Sequence, residues 1–360
     1  MTTRQVEVAF VVLSAFHRPI LTPVYELLRN RVTSLLSGDL REIMAAKPKV
    51  LVVCDHPGGV LWDHLPDALV VSLRHGFGSK NYFRTSMRWY DFVCVNSAWE
   101  RDMYLREGIS PRLGFWPTGF APMDPIFRTL RAPAPPAANR PPTILFAPTW
   151  NQELTAAVVV RPEWFEALLA SLPDITICIK PHPYTRHVGK EMLAAWKSLA
   201  RREPRVELVE DVDADIYPLL PATDVLVTDC SSIMFFFLAL DRPLVLVNNP
   251  LRFTRPNHYD PNGPEWVWRD MGDEVETFDQ FRGAIARALA QPHARAAARA
   301  VYREQLFGDL TDGCAADRAA GKLAALIAPT QSDRDWVDAA WRTAGGVTKG
   351  GRDSVQGQWS

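Results

Sequence analysis

The chain has 360 residues, which at about 150 residues per domain predicts two domains. Forty basic residues stand against 41 acidic ones, and the resulting net charge of −1 excludes the strongly basic footprint of a general nucleic-acid binder. Hydrophobic residues make up 47% and charged residues 22%, values of a globular protein that exclude wholesale disorder.

Five cysteines are scattered along the chain, and none belongs to a Cys-x-x-Cys pair. This pattern argues against a disulfide framework and against a zinc site of the usual spacing, so we expect no metal centre. Unpaired cysteines also fit a protein of the reducing cytoplasm. No apolar run approaches the ~18 residues of a membrane span. The longest runs, residues 8–16 and 233–240, have the length of a strand or a short helix. We therefore expect a cytoplasmic protein that rests on the inner face of the cytoplasmic membrane only through its substrate.

Short runs rich in Val and Ile alternate with helical patterns, which predicts βα units and parallel sheets. In the first half the predicted strands are residues 6–13, 50–54, 68–73 and 92–96, and the predicted helices include 22–36 and 98–107. A proline-rich stretch follows at residues 131–142. It can form neither a helix nor a strand ladder, and its stiffness suits a linker between domains.

The alternation restarts after the prolines. The predicted strands are residues 143–147, 175–180, 206–208, 225–228 and 244–247, and the predicted helices are 163–171, 190–200, 232–240, 278–289, 294–304 and 318–327. Residues 329–360 turn to Gly, Ser, Asp and Lys and are expected to be loosely held. We therefore expect two α/β domains, residues 1–130 and 143–328, that face each other across a cleft, because open α/β sheets bind ligands at the carboxyl ends of their strands.

The most informative motif joins a buried strand to a helix at residues 225–235, where Val-Leu-Val-Thr-Asp is followed by Cys-Ser-Ser and Ile-Met-Phe. Ser231 and Ser232 fall where a helix exposes unpaired N–H groups and its positive end. Hydroxyls and free amides at such a point can cradle a phosphate without a glycine loop. The alternative is that Asp229 or Ser231 only caps the helix, as every helix needs a start signal.

Two histidines follow other predicted strands. His182 stands in Lys-Pro-His-Pro at residues 180–183, where two prolines make the backbone rigid at the carboxyl end of the strand. His75 opens the loop His-Gly-Phe-Gly-Ser-Lys at residues 75–80, in which glycines allow close backbone approach and Lys80 adds a positive charge. A histidine base beside a lysine suits transfer of a phosphoryl or glycosyl group to a hydroxyl. The alternatives are a structural His182 and a glycine turn that carries an incidental His75.

Weaker signals lie near the same strand ends. His56, in Cys-Asp-His-Pro-Gly-Gly at residues 54–59, and His17, at the end of the first strand, could line the same cleft. A turn at the end of a strand explains them equally well. The acidic residues Asp211, Asp213 and Asp215 lack the spacing of a metal loop and predict a solvated helix start.

Taken together, these segments resemble the CDP-glycerol glycerophosphotransferases, the family of teichoic acid primases and polymerases. The resemblance covers residues 69–326 and depends on the order of its elements. These are His-Gly-x-x-x-Lys at 75–80, Ala-Pro-Thr-Trp at 147–150, Lys-x-His-Pro at 180–183, Thr-Asp-x-Ser-Ser at 228–232, Gly-Pro at 263–264 after Tyr259, and Asp-Gly-x-x-x-x-Arg at 312–318.

The resemblance implies a GT-B fold, in which two Rossmann-like domains with parallel sheets face a central cleft. It implies that His75 is the base on the acceptor hydroxyl, with Gly76 and Lys80 on the acceptor or phosphate side. It implies that His182 and a group of second-domain residues hold the donor's diphosphate while charge develops on the phosphoryl group. That group consists of Lys180, Thr228, Asp229, Ser231 and Ser232.

Transfer of an alcohol-phosphate from a CDP-activated donor would release CMP and leave a phosphodiester. The nucleoside is expected near Val209, Glu210 and Asp211, only because they follow the strand at 206–208. The acceptor is expected to be a hydroxyl of an envelope glycan or a lipid-linked molecule. No cofactor is firmly implied, although a diphosphate can bring Mg²⁺ with it.

Two departures from the family pattern concern the acceptor side. Phe77-Gly78 stands where the family has a small residue and a proline, and the segment from Gly119 to Asp124 lacks the family's arginine. Three other functions therefore stay open: a GT-B glycosyltransferase that uses a nucleotide-sugar, a nucleotide-sugar 2-epimerase, and a non-catalytic binding protein. The transferred alcohol, the acceptor, single addition against polymerisation, and the oligomeric state are not specified by the sequence.

Overall fold

The computed structural model of the chain describes residues 5–55, 59–78, 81–132, 140–254 and 259–346. The chain divides into two compact units. Unit 1 comprises Met1–His75, Arg84–Pro125 and Phe307–Ser360, and unit 2 comprises Gly76–Phe83 and Ile126–Leu306. Each unit contains one six-stranded sheet in which all neighbouring strands are parallel, so the predicted pair of α/β sheets is confirmed.

Six strands form the sheet of unit 1, hereafter sheet A. They are β1 (Val8–Val11), β2 (Ser34–Ser37), β3 (Val50–Val53), β4 (Leu69–Ser72), β5 (Phe92–Val95) and β6 (Gly114–Pro117). Their spatial order is β2-β1-β3-β4-β5-β6. The chain first builds outward from β1 to β2 and then continues on the other side with β3. The gap between β1 and β3 is therefore the topological switch point, where such sheets bind ligands.

The sheet of unit 2, hereafter sheet B, also has six strands. They are β7 (Thr143–Phe146), β8 (Thr176–Ile179), β9 (Val206–Leu208), β10 (Val225–Thr228), β11 (Leu244–Val247) and β12 (Asp273–Val275). Their spatial order is β9-β8-β7-β10-β11-β12, which is the 3-2-1-4-5-6 order of a Rossmann sheet. Its switch point lies between β7 and β10.

Helices connect the strands. The α-helices are α1 (Arg18–Leu28), α2 (Leu40–Ala46), α3 (Gly59–His64), α4 (Asn81–Ser86), α5 (Ala98–Arg106), α6 (Asp124–Arg131), α7 (Pro162–Ser171), α8 (Thr185–Val188), α9 (Lys190–Arg202), α10 (Ile233–Phe237), α11 (Pro264–Val267), α12 (Phe278–Ala290), α13 (Ala296–Phe307), α14 (Ala315–Ile327) and α15 (Arg334–Gly346). Short 3₁₀ helices cover Ala15–His17, Met87–Trp89, Ala121–Met123, Ala156–Val158, Tyr217–Ala222, Leu238–Leu240, Arg252–Thr254 and Arg269–Met271.

The central strands are apolar without interruption because helices cover both faces of each sheet. All residues of β1, β3, β4, β5, β10 and β11 are buried. On one face of sheet B, the ring of Phe146 contacts Phe165 and Trp196, and Phe281 of α12 packs against Phe165. Each such aromatic side chain contributes about 1.5–3 kcal/mol of burial free energy, so the aromatic core fixes the sheet that carries the second-domain residues.

The end of the chain returns to unit 1 through α14. The carboxylate of Asp124 accepts hydrogen bonds from the backbone N–H groups of Ala315 and Ala316, each at 2.9 Å, and so caps the start of this helix. The Arg318 guanidinium donates to the backbone carbonyl of Thr118 at 2.8 Å and pairs with Asp312. Asp124 and the Asp-Gly-x-x-x-x-Arg element at residues 312–318 therefore hold the start of α14 in unit 1.

The units do not coincide with the sequence-based boundaries. Residues 76–83 and 126–130 belong to unit 2, and residues 307–328, which include α14, belong to unit 1. The segment 329–360 contains α15, where Val337 and Ala340 are buried. An amphipathic pattern predicts that a helix covers a sheet, but it does not say which of two similar sheets. Residues 133–139 of the proline-rich stretch lie outside the described residues.

Candidate active site

The predicted site residues lie at the carboxyl ends of strands in both sheets. His75 follows β4 of sheet A, next to the switch point. Thr228 ends β10 at the switch point of sheet B, and Asp229, Ser231 and Ser232 follow it. In such sheets these strand ends are the places where loops expose polar groups to a ligand. Each unit is described separately below.

The turn that carries His75 is built on an unusual backbone conformation. Arg74 has φ +55°, in the left-handed region that residues other than glycine seldom adopt. The buried Arg74 guanidinium forms an ion pair with the buried Glu100 carboxylate and lies 5.3 Å from the centre of the Tyr104 ring. These contacts hold the strained turn, which costs about 1–2 kcal/mol, and they fix the direction in which the chain leaves β4.

The Asp55 carboxylate joins two histidines at the carboxyl ends of β1, β3 and β4. Its Oδ1 contacts His75 Nδ1, and its Oδ2 lies 2.9 Å from His17 Nε2. Burial alone would raise the pKa of Asp55, but the charge of His75 and the hydrogen bonds from both histidines outweigh it and hold that pKa well below its usual range. Asp55 is therefore an anion that accepts a hydrogen bond from each ring.

In unit 2, the segment after His75 packs against the start of α10. A Cβ atom on Gly76 would lie 2.8 Å from Ser232 Oγ, so the glycine lets the backbone approach this hydroxyl. Phe77 is buried between Phe235 and Trp268, with ring centres 4.8 and 5.5 Å away. Phe77 therefore acts as an anchor for this segment. Lys80 and Ser79 lie outside the described residues.

The loop after β10 is held from within the protein by two buried residues. Thr228 donates from Oγ1 to the Ala147 carbonyl at 2.6 Å, which ties β10 to β7. The Asp229 carboxylate is 1% exposed and accepts three backbone hydrogen bonds: from Thr149 at 2.9 Å and Ala156 at 2.8 Å on Oδ2, and from Ser231 at 3.0 Å on Oδ1. Asp229 thus fixes two neighbouring loops at the switch point.

Ser231 and Ser232 have a different environment. Both are partly exposed, and Ser232, at the start of α10, makes no side-chain cap. Among the described residues neither hydroxyl is hydrogen-bonded to the protein, in contrast to the neighbouring Thr228 and Asp229. The two hydroxyls are therefore available to a ligand, which is not what a capping role would require.

A buried arginine that the sequence analysis did not single out supports this loop. Arg269 donates to the carbonyl oxygen of Asp229 at 3.0 Å, to the Asn248 side chain at 2.7 Å and to Glu274 at 2.9 Å. Burial lowers the pKa of Arg269, although Glu274 opposes the effect. No local pattern marks this residue, because its partners lie 5 to 40 residues away along the chain.

The Lys-Pro-His-Pro element follows β8, the neighbour of β7. Lys180 is buried and donates from Nζ to the carbonyls of Pro181 and Val212, both at 2.9 Å. Burial lowers its pKa to about 8, against the opposing effect of Asp211, Asp213 and Asp215. Lys180 therefore fastens the acidic loop after β9 to the end of β8.

His182 is partly exposed and has a defined hydrogen-bonding state. Its Nδ1 accepts a hydrogen bond from the backbone N–H of Tyr184 at 3.1 Å, so in the neutral ring the proton is on Nε2. Its ring stacks on Tyr184, with centres 5.8 Å apart, and lies 6.5 Å from Trp150. The result is an oriented N–H donor beside two aromatic rings.

The residues expected near the nucleoside lie along the loop after β9. The backbone N–H of Val209 donates to the Ile179 carbonyl at 3.0 Å, and Glu210 forms an ion pair with Lys197 at the surface. Asp211 accepts a hydrogen bond from the backbone N–H of Asp213 at 3.0 Å. Val209 thus ties this loop to β8, at the same end of sheet B as His182.

Two properties of the described residues bear on cofactors and membranes. Within them, no three His, Cys, Asp or Glu side chains are grouped so that they could hold a metal ion. No helix among them is both long and apolar enough to cross a bilayer.

The comparison with family models matches residues 76–324 to the family described as CDP-glycerol:poly(glycerophosphate) glycerophosphotransferase. The match begins one residue after His75 and contains His182, Ser231 and Ser232. A comparison with curated proteins finds no matching relative.

Solved structures share the fold of the chain. A structure of the wall teichoic acid polymerase TagF is 13% identical, with a TM-score of 0.64 and 89% of each chain covered. A putative UDP-N-acetylglucosamine 2-epimerase from Listeria monocytogenes is 13% identical, with a TM-score of 0.58, covering 91% of this chain and 98% of the epimerase. A UDP-GlcNAc 2-epimerase from Neisseria meningitidis, solved with UDP-GlcNAc, is 13% identical, with a TM-score of 0.53 and coverage of 88% and 99%. The expected GT-B fold is confirmed by this likeness.

Proposed function

The chain belongs to the CDP-glycerol:poly(glycerophosphate) glycerophosphotransferase family, and we propose that His75 is its base and that Ser231, Ser232 and His182 bind the donor's diphosphate. Membership makes the chain an enzyme, a CDP-glycerol glycerophosphotransferase. Such an enzyme moves glycerol phosphate from CDP-glycerol to an acceptor hydroxyl.

The contact between Asp55 and His75 is the observation that carries the assignment of the base. Because the ionised Asp55 can only accept, His75 donates its Nδ1 proton and keeps the lone pair on Nε2. When His75 takes a proton from the acceptor, Asp55 stabilises the imidazolium that forms, as the aspartate of a serine-protease triad does for its histidine. A glycine turn with an incidental histidine would not require a carboxylate that contacts the histidine ring.

The donor side depends on the contrast between engaged and available groups after β10. Thr228 and Asp229 are bound within the protein, so they take part in donor binding by shaping the loop. Ser231 and Ser232 offer their hydroxyls to phosphate oxygens, and His182, whose Nδ1 accepts from Tyr184, donates to them from Nε2 when the donor binds. Lys180 contributes by holding the acidic loop that follows β9.

The reaction then proceeds as an in-line displacement at the phosphorus that carries glycerol. The acceptor oxygen gives its proton to His75 Nε2 and forms a bond to this phosphorus, while the bond from the phosphorus to the bridging oxygen of the diphosphate breaks. CMP leaves with that oxygen, and a phosphodiester remains. Charge that develops on the phosphoryl oxygens is stabilised by His182 and the two serine hydroxyls.

The remaining assignments extend this proposal. Gly76 and Lys80 serve the acceptor or phosphate side, and the cytosine nucleoside lies beside residues 209–211. The acceptor is a hydroxyl of an envelope glycan or a lipid-linked molecule, met at the inner face of the cytoplasmic membrane. Phe77-Gly78, where the family has a small residue and a proline, gives this chain an acceptor loop of its own shape.

A donor and acceptor panel tests the function. CDP-glycerol, CDP-ribitol and common UDP-sugars are compared by protection against thermal unfolding and by turnover with glycan and lipid-linked acceptor analogues, with Mg²⁺ and with EDTA. We expect CMP and a phosphodiester from CDP-glycerol. Turnover of a UDP-sugar alone to its epimer, or formation of a glycosidic bond, would replace the proposal by one of the other activities of this fold.

Two variants test the residue roles. His75→Asn keeps an N–H at the position of Nδ1 for Asp55 and removes the basic Nε2, so turnover should fall by about 10²-fold or more with CDP-glycerol binding unchanged. His182→Ala should weaken CDP-glycerol binding as well as turnover. His64→Gln is the matched control, since His64 is exposed and its Nδ1 contacts only the Val60 carbonyl of its own helix. A folded His75→Asn enzyme with normal turnover would exclude His75 as the base.

A further inference from the structure

His17 is a buried histidine that the proposed reaction leaves without a role. It lies at the end of the 3₁₀ helix Ala15–His17, just after β1, and its side chain is 1% exposed. Its Nε2 meets Asp55 Oδ2 at 2.9 Å, across the switch point between β1 and β3. This contact indicates that His17 acts on Asp55.

The two ring nitrogens of His17 have different surroundings. Nε2 faces an ionised carboxylate and therefore carries a proton, which it donates. Nδ1 is buried and has no hydrogen-bond partner among the described residues. His17 therefore donates a hydrogen bond to Asp55 from Nε2 and makes no second one through Nδ1 within the described residues.

The surroundings leave Asp55 as the only anion that faces the two histidines in the described part of unit 1. Burial raises the pKa of both Cys54 and Tyr90, so these neighbours remain neutral. The charge of Arg74 is matched by Glu100. Because Asp55 is ionised, its negative charge stabilises a proton taken up by His75.

The two oxygens of Asp55 are thus divided between the rings. Oδ2 is bound to the buried His17, and Oδ1 meets His75, whose side chain is 25% exposed. Phe16 limits both rings from one side, with its ring centre 4.6 Å from that of His17 and 5.8 Å from that of His75. Rotation of the carboxylate would break the His17 hydrogen bond, so His17 fixes the orientation of Asp55.

We propose that His17 is a positioning residue for the transfer reaction: by donating from Nε2 it locks the Asp55 carboxylate so that Oδ1 orients His75. This inference depends on the proposed role of His75 as the base. His17 touches neither substrate, so it acts on the rate of the chemical step and leaves CDP-glycerol binding unchanged.

Two amide variants separate this role from simple core packing. In His17→Gln the side-chain N–H can reach the position of Nε2, whereas in His17→Asn it reaches only the position of Nδ1 and misses Asp55. Both are neutral, polar and smaller than histidine, so they impose similar packing costs. We expect His17→Gln to keep kcat within about threefold and His17→Asn to lower kcat by about 10- to 100-fold, the range seen when an orienting partner of a functional histidine is removed. The KM for CDP-glycerol should be unchanged in both.

The pH profile and a double mutant complete the test. The kcat profile of His17→Gln should have the same limbs as that of the wild type, because glutamine keeps the hydrogen bond to Asp55. In a His75→Asn background, His17→Asn should cause no further loss of the residual rate, because both act through the same base. Equal loss in the Gln and Asn variants, full activity of His17→Asn, or a further loss in the double mutant would each overturn the role of His17. Normal turnover of His75→Asn alone would instead overturn the proposed function.

Discussion

Replacing Asp229 by asparagine tests whether a buried carboxylate builds the loop after β10, which we propose binds the donor's diphosphate. The wild-type side chain accepts three backbone hydrogen bonds, two on Oδ2 and one on Oδ1, and is almost fully buried. Asparagine offers one oxygen and one NH₂ group. In its best orientation it keeps the bonds from Thr149 and Ala156 and turns the NH₂ group toward the N–H of Ser231.

The expected loss follows from these contacts. A hydrogen bond to a charged group contributes about 1.5–3 kcal/mol and a neutral one about 0.5–1.5 kcal/mol. The bond to Ser231 is lost, and the other two weaken from charged to neutral. A neutral amide costs less free energy to bury than a carboxylate, and this difference offsets part of the loss of hydrogen bonding. We therefore expect Asp229→Asn to lower the free energy of unfolding by about 3–4 kcal/mol.

Asp224→Asn is the matched control, because Asp224 lies just before β10, at the opposite end of the strand. Its side chain is 35% exposed and accepts from the backbone N–H of Thr143 and from Arg140. Exposed pairs of this kind contribute about 1 kcal/mol or less, so this variant should lose far less stability and keep its activity. Chemical denaturation of both variants measures the difference.

Binding of CDP-glycerol distinguishes the two roles that Asp229 could have. If the carboxylate only supplies negative charge near the diphosphate, its removal should tighten binding of an anion. If it shapes the loop, binding should weaken, because Ser231 is released from its position. Tighter binding, or a stability loss below about 1 kcal/mol together with lost activity, would refute the loop-shaping role.

Two further predictions concern Lys180 and Gly76. Because burial lowers the pKa of Lys180 from 10.5 to about 8, the unfolded chain binds more protons between these pH values, and stability relative to Lys180→Gln should rise by about 3 kcal/mol as pH increases through this window. Denaturation of both proteins from pH 7 to 10.5 measures it, and a constant difference would contradict the assignment. Gly76→Ala should weaken CDP-glycerol binding, because the new Cβ meets Ser232 Oγ at 2.8 Å. Gly321→Ala, where no atom lies within 4 Å, should instead stabilise α14 by about 0.5–1 kcal/mol, and the reverse result for either glycine would refute this steric argument.

The central strands were predictable and three edge strands were not. Nine predicted strands are confirmed within about one or two residues. Eight of them are central strands, which are apolar because helices cover both faces of the sheet, and the ninth, β9, lies at an edge of sheet B. The three missed strands are β2, β6 and β12, each at an edge of its sheet. Only one residue in each of them is fully buried, so their sequences do not form an apolar run. The predicted helix at residues 22–36 was wrong beyond Leu28 for the same reason, since Ser34–Ser37 forms β2.

The candidate site was predictable where its signal is local. A histidine between prolines and a Thr-Asp-x-Ser-Ser run are visible because strand, turn and polar side chain follow one another in the chain. The motif does not show that its residues have different roles. In the structure, Thr228 and Asp229 are hydrogen-bonded inside the protein, while the hydroxyls of Ser231 and Ser232 are available to a ligand.

Asp55 and Asp229 show what a sequence pattern cannot supply. Each follows a central strand at the switch point of its own sheet, and each is a carboxylate that joins elements far apart in the chain. Only Asp229 stood within a recognisable motif. The partner of Asp55, His17, lies 38 residues earlier and becomes a neighbour only because β1 pairs with β3 after the chain has already formed β2. The order of the strands in the sheet therefore determines which polar residues become neighbours, and predicting each strand separately does not give that order. At a switch point, strands that are distant in sequence are adjacent in space. It follows that, in each sheet, the carboxylate at the switch point is the residue whose replacement should disturb the site most for the smallest change in volume.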